Sequence, residues 1–181
     1  MGASLTGWLL VLAAGCAGRP APAPPPQTFA WTSPSAAVVT VEVGTPVSGA
    51  WSAHGLSAFV PSGWTGETGP PGSALLLRVT EPTTESVVEL WRYPLSGRPS
   101  IRPRPGCEPL FDDPGRFRAV PLLGASASHS CVLEDQTLVQ GWYGVANGEE
   151  VHVEVLLPPG EGFRGRERVE PFLRGLAATG E

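Results

Sequence analysis

The stretch TLVQGWYGVANGEEVHVEVLL, residues 137–157, determines the fold of this chain of 181 residues. Two runs that alternate apolar and polar residues flank Asn147 and Gly148, the dipeptide best suited to the positive φ angles of a two-residue hairpin turn. Because successive side chains of a strand point to opposite faces, the second run has two different faces. They carry Val151, Val153 and Val155 on one side, and Glu150, His152 and Glu154 on the other. The stretch therefore predicts an antiparallel hairpin.

Short valine-rich runs separated by Gly, Pro and Ser predict further strands upstream of this hairpin. They are AAVVTVEV at 36–43, LSAFV at 56–60, SALLLRVT at 73–80 and SVVELWRY at 86–93. The chain ends in an apolar stripe at helical spacing, formed by Val169, Phe172, Leu173, Leu176 and Ala177. Pro171 is tolerated only near a first helical turn, so we expect the helix to begin between Arg166 and Glu170. We predict an α+β fold, a mostly antiparallel sheet with a C-terminal helix packed on it.

The chain begins with a short apolar run, residues 8–15, followed by Cys16 and the proline-rich segment 17–27. The run is shorter than the about 20 apolar residues of a transmembrane helix and has the length of a secretory signal core. Prolines lack amide donors and favour polyproline II, so the segment after Cys16 is expected to be a semi-rigid spacer. We therefore predict an exported domain behind a tether.

The small residues Ala13, Ala14 and Gly15 directly before Cys16 resemble the lipobox of bacterial lipoproteins. The usual leucine three residues before the cysteine is Ala13 here, and no basic residue precedes the apolar run. The resemblance implies that the Cys16 thiol carries a diacylglyceryl group and that its freed amine is often acylated. The alternative is an ordinary secretory signal with an unrelated cysteine.

The lipoprotein resemblance divides the chain into a signal peptide at 1–15, a lipidated cysteine and Pro-rich tether at 16–27, and a single domain at 28–181. It implies anchoring in the cell envelope by lipid, with the domain in the periplasm or outside the cell. If the envelope has two membranes, the outer one is preferred. Ala17 stands where lipoproteins kept at the inner membrane commonly have an acidic residue.

The two remaining cysteines, Cys107 and Cys131, form the even pair expected in an oxidising compartment. We predict a disulfide between them, which would stabilise the fold by roughly 3.5 kcal/mol in the chain-entropy model. The alternatives are two free core thiols or half of a metal site. The metal site is disfavoured because neither cysteine belongs to a short Cys-x-x-Cys pair.

Charge composition excludes several classes of function. All twelve basic residues are arginine, so Schiff-base chemistry and a P-loop lysine are excluded. The formal net charge is −5 and no basic stripe is present, so the chain lacks the cluster of positive charge that binds the phosphates of nucleic acids. No cofactor is predicted.

Two sets of residues could form a catalytic or metal site. Glu150, His152 and Glu154 offer ligands that zinc accepts, but alternate residues of one strand seldom converge on one ion. We therefore expect a solvated strand face there. For nucleophilic catalysis, no G-x-S-x-G elbow is present, and only His54, His129 and His152 could serve as bases.

Arginines and tryptophans supply two further candidates. Five arginines, which could clamp carboxylates or lipid phosphates, surround the first cysteine of the predicted disulfide: Arg98, Arg102, Arg104, Arg116 and Arg118. We expect a solvated, proline-stiffened loop instead. Five tryptophans could stack on glycan or bind a partner, but most are expected in the core: Trp31, Trp51, Trp64, Trp91 and Trp142.

The order of parts resembles PsbP-like α/β domains. The matching segments are GLSAFVPSGWTGE at 55–67, the late hairpin, and GFRGRERVEPFLRGLA at 162–177. The cysteine loop and the proline-arginine segment 98–105 depart from that pattern. The resemblance implies an antiparallel sheet with a final helix and carries no shared catalytic residue set.

We therefore predict a non-catalytic accessory or protein-binding domain, held at the membrane by its lipid anchor, with an envelope protein as its partner. One alternative is a lipoprotein that binds a small ligand or glycan, which would need a concave apolar pocket. Another is a hydrolase, which would need a histidine within hydrogen-bond reach of a serine or carboxylate in a cleft.

Overall fold

The computed structural model of the protein describes residues 44–95, 102–110, 120–123 and 127–179. The predicted signal peptide, the lipidation site at Cys16, the tether and the strand expected at 36–43 lie outside this part of the chain. No helix of the described ranges is both long enough and apolar enough to cross a membrane.

The described residues contain eleven strands and one α-helix, with a 3₁₀ turn at Pro121–Leu123. The first six strands are β1 Pro46–Val47, β2 Gly49–Ala53, β3 Leu56–Val60, β4 Thr65–Thr68, β5 Leu75–Thr80 and β6 Val87–Tyr93. The remaining elements are β7 Glu108–Pro109, β8 Ala127–Val132, β9 Leu138–Ala146, β10 Glu149–Leu157, α1 Gly162–Arg174 and β11 Ala177–Ala178.

Eight strands form the larger sheet, in the order β1-β4-β5-β6-β10-β9-β8-β7, and β11-β3-β2 form a smaller sheet. Every pair of neighbours in both sheets is antiparallel. The predicted α+β class, mostly antiparallel sheet with one helix, is therefore confirmed. The strand predicted at 56–60 matches β3, and the runs at 73–80 and 86–93 contain β5 and β6.

The predicted hairpin is confirmed as β9 and β10, which lie in the interior of the larger sheet. Asn147 and Gly148 join the two strands with φ angles of 50° and 73°. These are the positive values that a two-residue type I′ turn requires. The Asn147 side-chain amide also donates a hydrogen bond to the Gly55 carbonyl in the turn between β2 and β3. The hairpin tip thus touches the smaller sheet.

Helix α1 begins at Gly162, so the expected start between Arg166 and Glu170 is wrong. Pro171 lies in the last turn instead of the first, where it removes the amide that would bond to the Glu167 carbonyl. Both Pro171 and Glu167 are exposed, so water can satisfy that carbonyl. Burial of the apolar stripe holds the helix together across this interruption.

The hydrophobic core lies between one face of the larger sheet and α1 together with β3. Its members from β10, α1 and β3 are Val151, Val153, Val155, Leu157, Val169, Phe172, Leu173, Leu56, Ala58 and Val60. Trp64 packs against the Phe172 ring with the ring centroids 6.0 Å apart. The apolar face of β10 is therefore buried, as its alternation predicts.

Candidate functional site

The face of the larger sheet turned away from the core carries a group of polar and aromatic side chains, which we call the polar face. Strand register brings them together, since Glu154 pairs with Glu89, His152 pairs with Trp91 and with Tyr143, and Glu150 pairs with Tyr93. Its members are Arg78, Glu89, Trp91, Tyr93, His129, Tyr143, Glu150, His152 and Glu154. Five neighbouring strands thus contribute to one continuous surface.

The prediction that Glu150, His152 and Glu154 form a solvated strand face is wrong. Their exposed fractions are 0%, 2% and 4%. Glu89 on β6 is also fully buried. Burying carboxylates is costly unless each is paired and hydrogen bonded, so this face requires cationic partners.

The partners come from residues 102–110, which we call the strap. The strap pairs with β8 through its short strand β7, and Leu110 donates its backbone amide to the Ser130 carbonyl. Its arginines reach from there over β6 and β10. The strap therefore covers the polar face and supplies its positive charge.

Arg104 is the central contact of the strap. Its Nε donates a hydrogen bond of 2.8 Å to Glu154, and its Nη2 donates to Glu89. The guanidinium carbon also lies 5.9 Å from the centroid of the Trp91 ring, whose Nε1 donates to Glu89 at 3.2 Å. One guanidinium thus neutralises two carboxylates that burial would otherwise disfavour.

Arg102 makes a second contact of the same kind two residues further from the disulfide. Its guanidinium carbon lies 4.6 Å from the centroid of the Tyr93 ring, and its Nη2 lies 3.5 Å from Glu150. Glu150 also pairs with His152, with 2.7 Å between Oε1 and the ring Nε2. The two strap arginines therefore sit side by side, each between a carboxylate and an aromatic ring.

The two histidines of the polar face lie on either side of Tyr143. The Tyr143 hydroxyl is 2.8 Å from His129 Nδ1, and the Tyr143 ring meets the His152 ring edge-on at 4.2 Å. Gly141 makes this arrangement possible, because a Cβ there would overlap the His129 ring. The histidines belong to a packed aromatic group and not to an open strand surface.

Burial shifts the titration of these groups. It lowers the pKa of His129 to about 4, against a weaker opposing effect of the Gly141 backbone. It also lowers the pKa of His152, although the hydrogen bond to Glu150 acts in the opposite direction. Burial raises the pKa of Glu154, and Arg104 partly offsets this. Both histidines are therefore neutral at pH 7, and the positive charge of the site resides on arginines.

The predicted disulfide between Cys107 and Cys131 is confirmed, with 5.4 Å between the two Cα atoms. Cys131 lies on β8 on the same side of the sheet as His129, and it is fully buried. The bond therefore fixes the strap to the sheet directly beside the polar face. Arg102 and Arg104 lie upstream of this covalent anchor.

The chemistry of the polar face is that of paired charges. Three carboxylates, on Glu89, Glu150 and Glu154, meet the guanidiniums of Arg78, Arg102 and Arg104. Within the described ranges, no three His, Cys, Asp or Glu side chains are arranged to hold a metal ion. A carboxylate does lie within hydrogen-bond reach of His152, but both groups are buried beneath the strap.

The remaining sequence candidates are only partly within the described residues. Trp51 and Trp142 are buried in the core, as expected for most of the tryptophans, whereas Trp91 joins the polar face. Arg104 clamps carboxylates of the chain's own sheet, so the expectation of a solvated loop is wrong for it. The Arg102 side chain contacts Glu150 but is 43% exposed, as expected for a solvated loop. Trp31, Arg98, Arg116 and Arg118 lie outside the described ranges.

The sequence alone does not single out Glu89, Tyr93 or Tyr143, which belong to predicted strands, and it marks Trp91 only as one of several tryptophans. A signal was present in ELWRY at 89–93, where three polar or aromatic residues alternate with Leu90 and Arg92. That alternation matches the polar face of β10, its neighbour in the sheet.

No known protein family matches the chain, and comparison with curated proteins gives no match either.

Proposed function

We propose that the protein is a lipid-anchored envelope lipoprotein whose single domain acts by binding another protein and not by catalysis. The proposal that the domain is not catalytic is supported by one observation: the strap covers the polar face. Arg104 and Arg102 of the same chain pair with Glu89, Glu154 and Glu150, and these carboxylates are buried. With the strap in place, a substrate cannot reach these carboxylates, as catalysis by them would require.

The anchor is proposed from the segment before and after Cys16, which resembles a lipobox and a proline-rich tether. Each buried methylene contributes about 0.8 kcal/mol, so two or three acyl chains would hold the domain durably at a membrane. The expected place is the cell envelope, with the outer membrane preferred where two membranes are present.

We also propose that the domain is PsbP-like. The support is a contact between the two segments that carry the resemblance: Trp64, which follows β3 after the corner at Pro61, packs against Phe172 of α1. This contact ties an early corner to the terminal helix. The strap and its disulfide would be additions of this chain to such a domain.

Membrane fractionation tests the anchor. The native chain should be recovered with membranes and released by detergent, whereas the Cys16→Ser variant should be recovered in the soluble fraction. Mass spectrometry of the mature N-terminus should show acyl chains on Cys16. Equal fractionation of the two chains would contradict the lipoprotein proposal.

Crosslinking in intact membranes tests partner binding. The matched control is residues 1–43 fused to an unrelated soluble domain, which keeps the proposed anchor and tether. An envelope protein enriched by the native chain and not by this control would support the proposal. Equal enrichment by both would contradict it.

A further inference from the structure

Arg104 and Arg102 occupy two neighbouring sites of the same chemistry on the polar face. The first site consists of Glu89, Glu154 and the Trp91 ring, and the second of Glu150 and the Tyr93 ring. Each site therefore offers a cation one aromatic ring and at least one carboxylate. Two such sites beside each other match two arginines separated by a single residue.

The geometry of the first site suits a guanidinium better than an ammonium. Arg104 uses two different nitrogens, Nε and Nη2, for two carboxylates on different strands. A planar guanidinium can make such a fork and also lie against a ring, whereas an ammonium acts as a point charge. The site therefore selects arginine over lysine.

The site also has an acceptor that the strap leaves unused. Glu89 Oε1 accepts no hydrogen bond from any described residue, although Glu89 is fully buried. The nearest cationic nitrogen recorded for it is Arg78 Nε, at 3.8 Å. Unsatisfied buried carboxylate oxygens are costly, so Glu89 has an oxygen that a further hydrogen-bond donor of a bound guanidinium would satisfy.

The first four residues of the strap are attached mainly through side chains. Pro103 and Pro105 have no amide proton, so this stretch cannot make a regular strand ladder. Gly106 follows with a φ angle of 74°, and open space surrounds the position where its side chain would be. A change of the Gly106 backbone would let residues 102–105 leave the polar face while the disulfide at Cys107 stays closed, with loss of the hydrogen bond from the Cys107 amide to the Arg104 carbonyl.

We propose that the polar face is an arginine-recognition site for an Arg-x-Arg segment of a protein partner, and that residues 102–105 fill it when no partner is bound. This inference rests on the proposed partner-binding function and names the chemistry of the partner. A tethered segment competes at an effective concentration on the order of millimolar, so a partner segment must displace it. The strap thereby restricts the site to partners that offer the same pair of guanidiniums.

The test uses the full chain with Arg102→Ala and Arg104→Ala together, which removes the strap's two guanidiniums. The probe is the peptide acetyl-Arg-Pro-Arg-Pro-amide, and the matched control is acetyl-Lys-Pro-Lys-Pro-amide. We expect calorimetry to show the arginine peptide binding the variant at least roughly tenfold more tightly than the lysine peptide, because only a guanidinium can fork. The native chain should bind the arginine peptide at least roughly tenfold more weakly than the variant does, because its strap competes.

Equal binding of the two peptides, or no binding by a variant whose circular dichroism shows a folded sheet, would overturn the inference. If the double variant does not fold, the Arg104→Lys variant replaces it, because lysine retains a positive charge at the site. This variant is titrated with the same two peptides, and the same results support or overturn the inference. The partner captured by crosslinking distinguishes this inference from the proposed function. A partner retained equally by native and Arg104→Lys chains would leave partner binding standing and remove the polar face as its site.

Discussion

Glu89 and Glu154 lie directly opposite each other on neighbouring strands, face the same side of the sheet, and share Arg104. Like charges in that position repel each other, and burial increases the cost. Arg104 converts the pair into an attractive unit, so the sheet depends on a residue of the strap. The strap is held in turn by the carboxylates that it neutralises.

Replacement of Arg104 should therefore destabilise the protein strongly. Arg104→Ala leaves the buried Glu154 without its cation and Glu89 with only Arg78, at 3.8 Å, so we expect the free energy of unfolding to fall by about 3 kcal/mol or more. Urea denaturation followed by circular dichroism measures this. The control is Arg174→Ala on α1, whose ion pair with Glu170 is exposed and should contribute about 0.5 kcal/mol or less. Similar losses in both variants would contradict the description of Arg104 as the central contact.

Acid should destabilise the fold through the buried histidines. The folded-state pKa of His129 is about 4, below its ordinary value of 6.5, so the unfolded chain binds a proton more readily. The contribution to stability is then complete above about pH 6.5 and is lost as the pH falls towards 4. His152 shifts in the same direction, whereas the raised pKa of Glu154 opposes it.

Thermal unfolding across that pH range tests the assignment. The melting temperature of the native chain should fall steadily as the pH falls. His129→Gln should make the melting temperature depend less on pH, because glutamine does not titrate. A slope that persists in the His129 variant would assign the acid sensitivity to other groups.

Reduction of the disulfide should loosen the strap. Opening the loop between Cys107 and Cys131, which are 24 residues apart, should lower the free energy of unfolding by about 3.5 kcal/mol in the chain-entropy model. The native chain is compared with and without dithiothreitol, and hydrogen exchange of residues 102–110 is measured in both. Unchanged protection of the strap after reduction would show that the arginine contacts and the pairing of β7 with β8 hold it without the disulfide.

The terminal helix should contribute through its buried aromatic ring. Phe172→Ala removes the ring that packs on Trp64, and we expect a loss of about 3 to 5 kcal/mol from the cavity that remains. Phe163 lies on the same helix but is 71% exposed, so Phe163→Ala should cost about 0.5 kcal/mol or less. Denaturant midpoints of the two variants give the comparison.

Local chemistry made the hairpin, the helix and the disulfide predictable. Asn147 and Gly148 suit positive φ angles whatever surrounds them, and the valines of β10 alternate with period two. The start of α1 was not predictable from Pro171 alone. Burial of the apolar stripe outweighs one missing backbone hydrogen bond when the proline itself is exposed.

The burial of the polar face depends on a contact that is distant in sequence. Alternation assigns Glu150, His152 and Glu154 to one face but contains no information on what lies above that face. Residues 102–110 cover that face and carry the positive charge that it needs. Their arginines and prolines are residues typical of solvated loops, so the sequence predicts a loop in water instead. Only the register of β6 against β10 shows that Glu89 and Glu154 form one target for Arg104.

The strand order also bears on how the chain can be made. Strand β6 lies between β5 and β10 in the larger sheet, yet β10 is close to the C-terminal end of the sequence. Synthesis proceeds from the N-terminus, so β4, β5 and β6 exist for a time with one edge of β6 unpaired, a situation that favours aggregation. A nascent chain that stops before Glu150 has no β10 to pair with β6, so that edge is closed only after β10 has been synthesised.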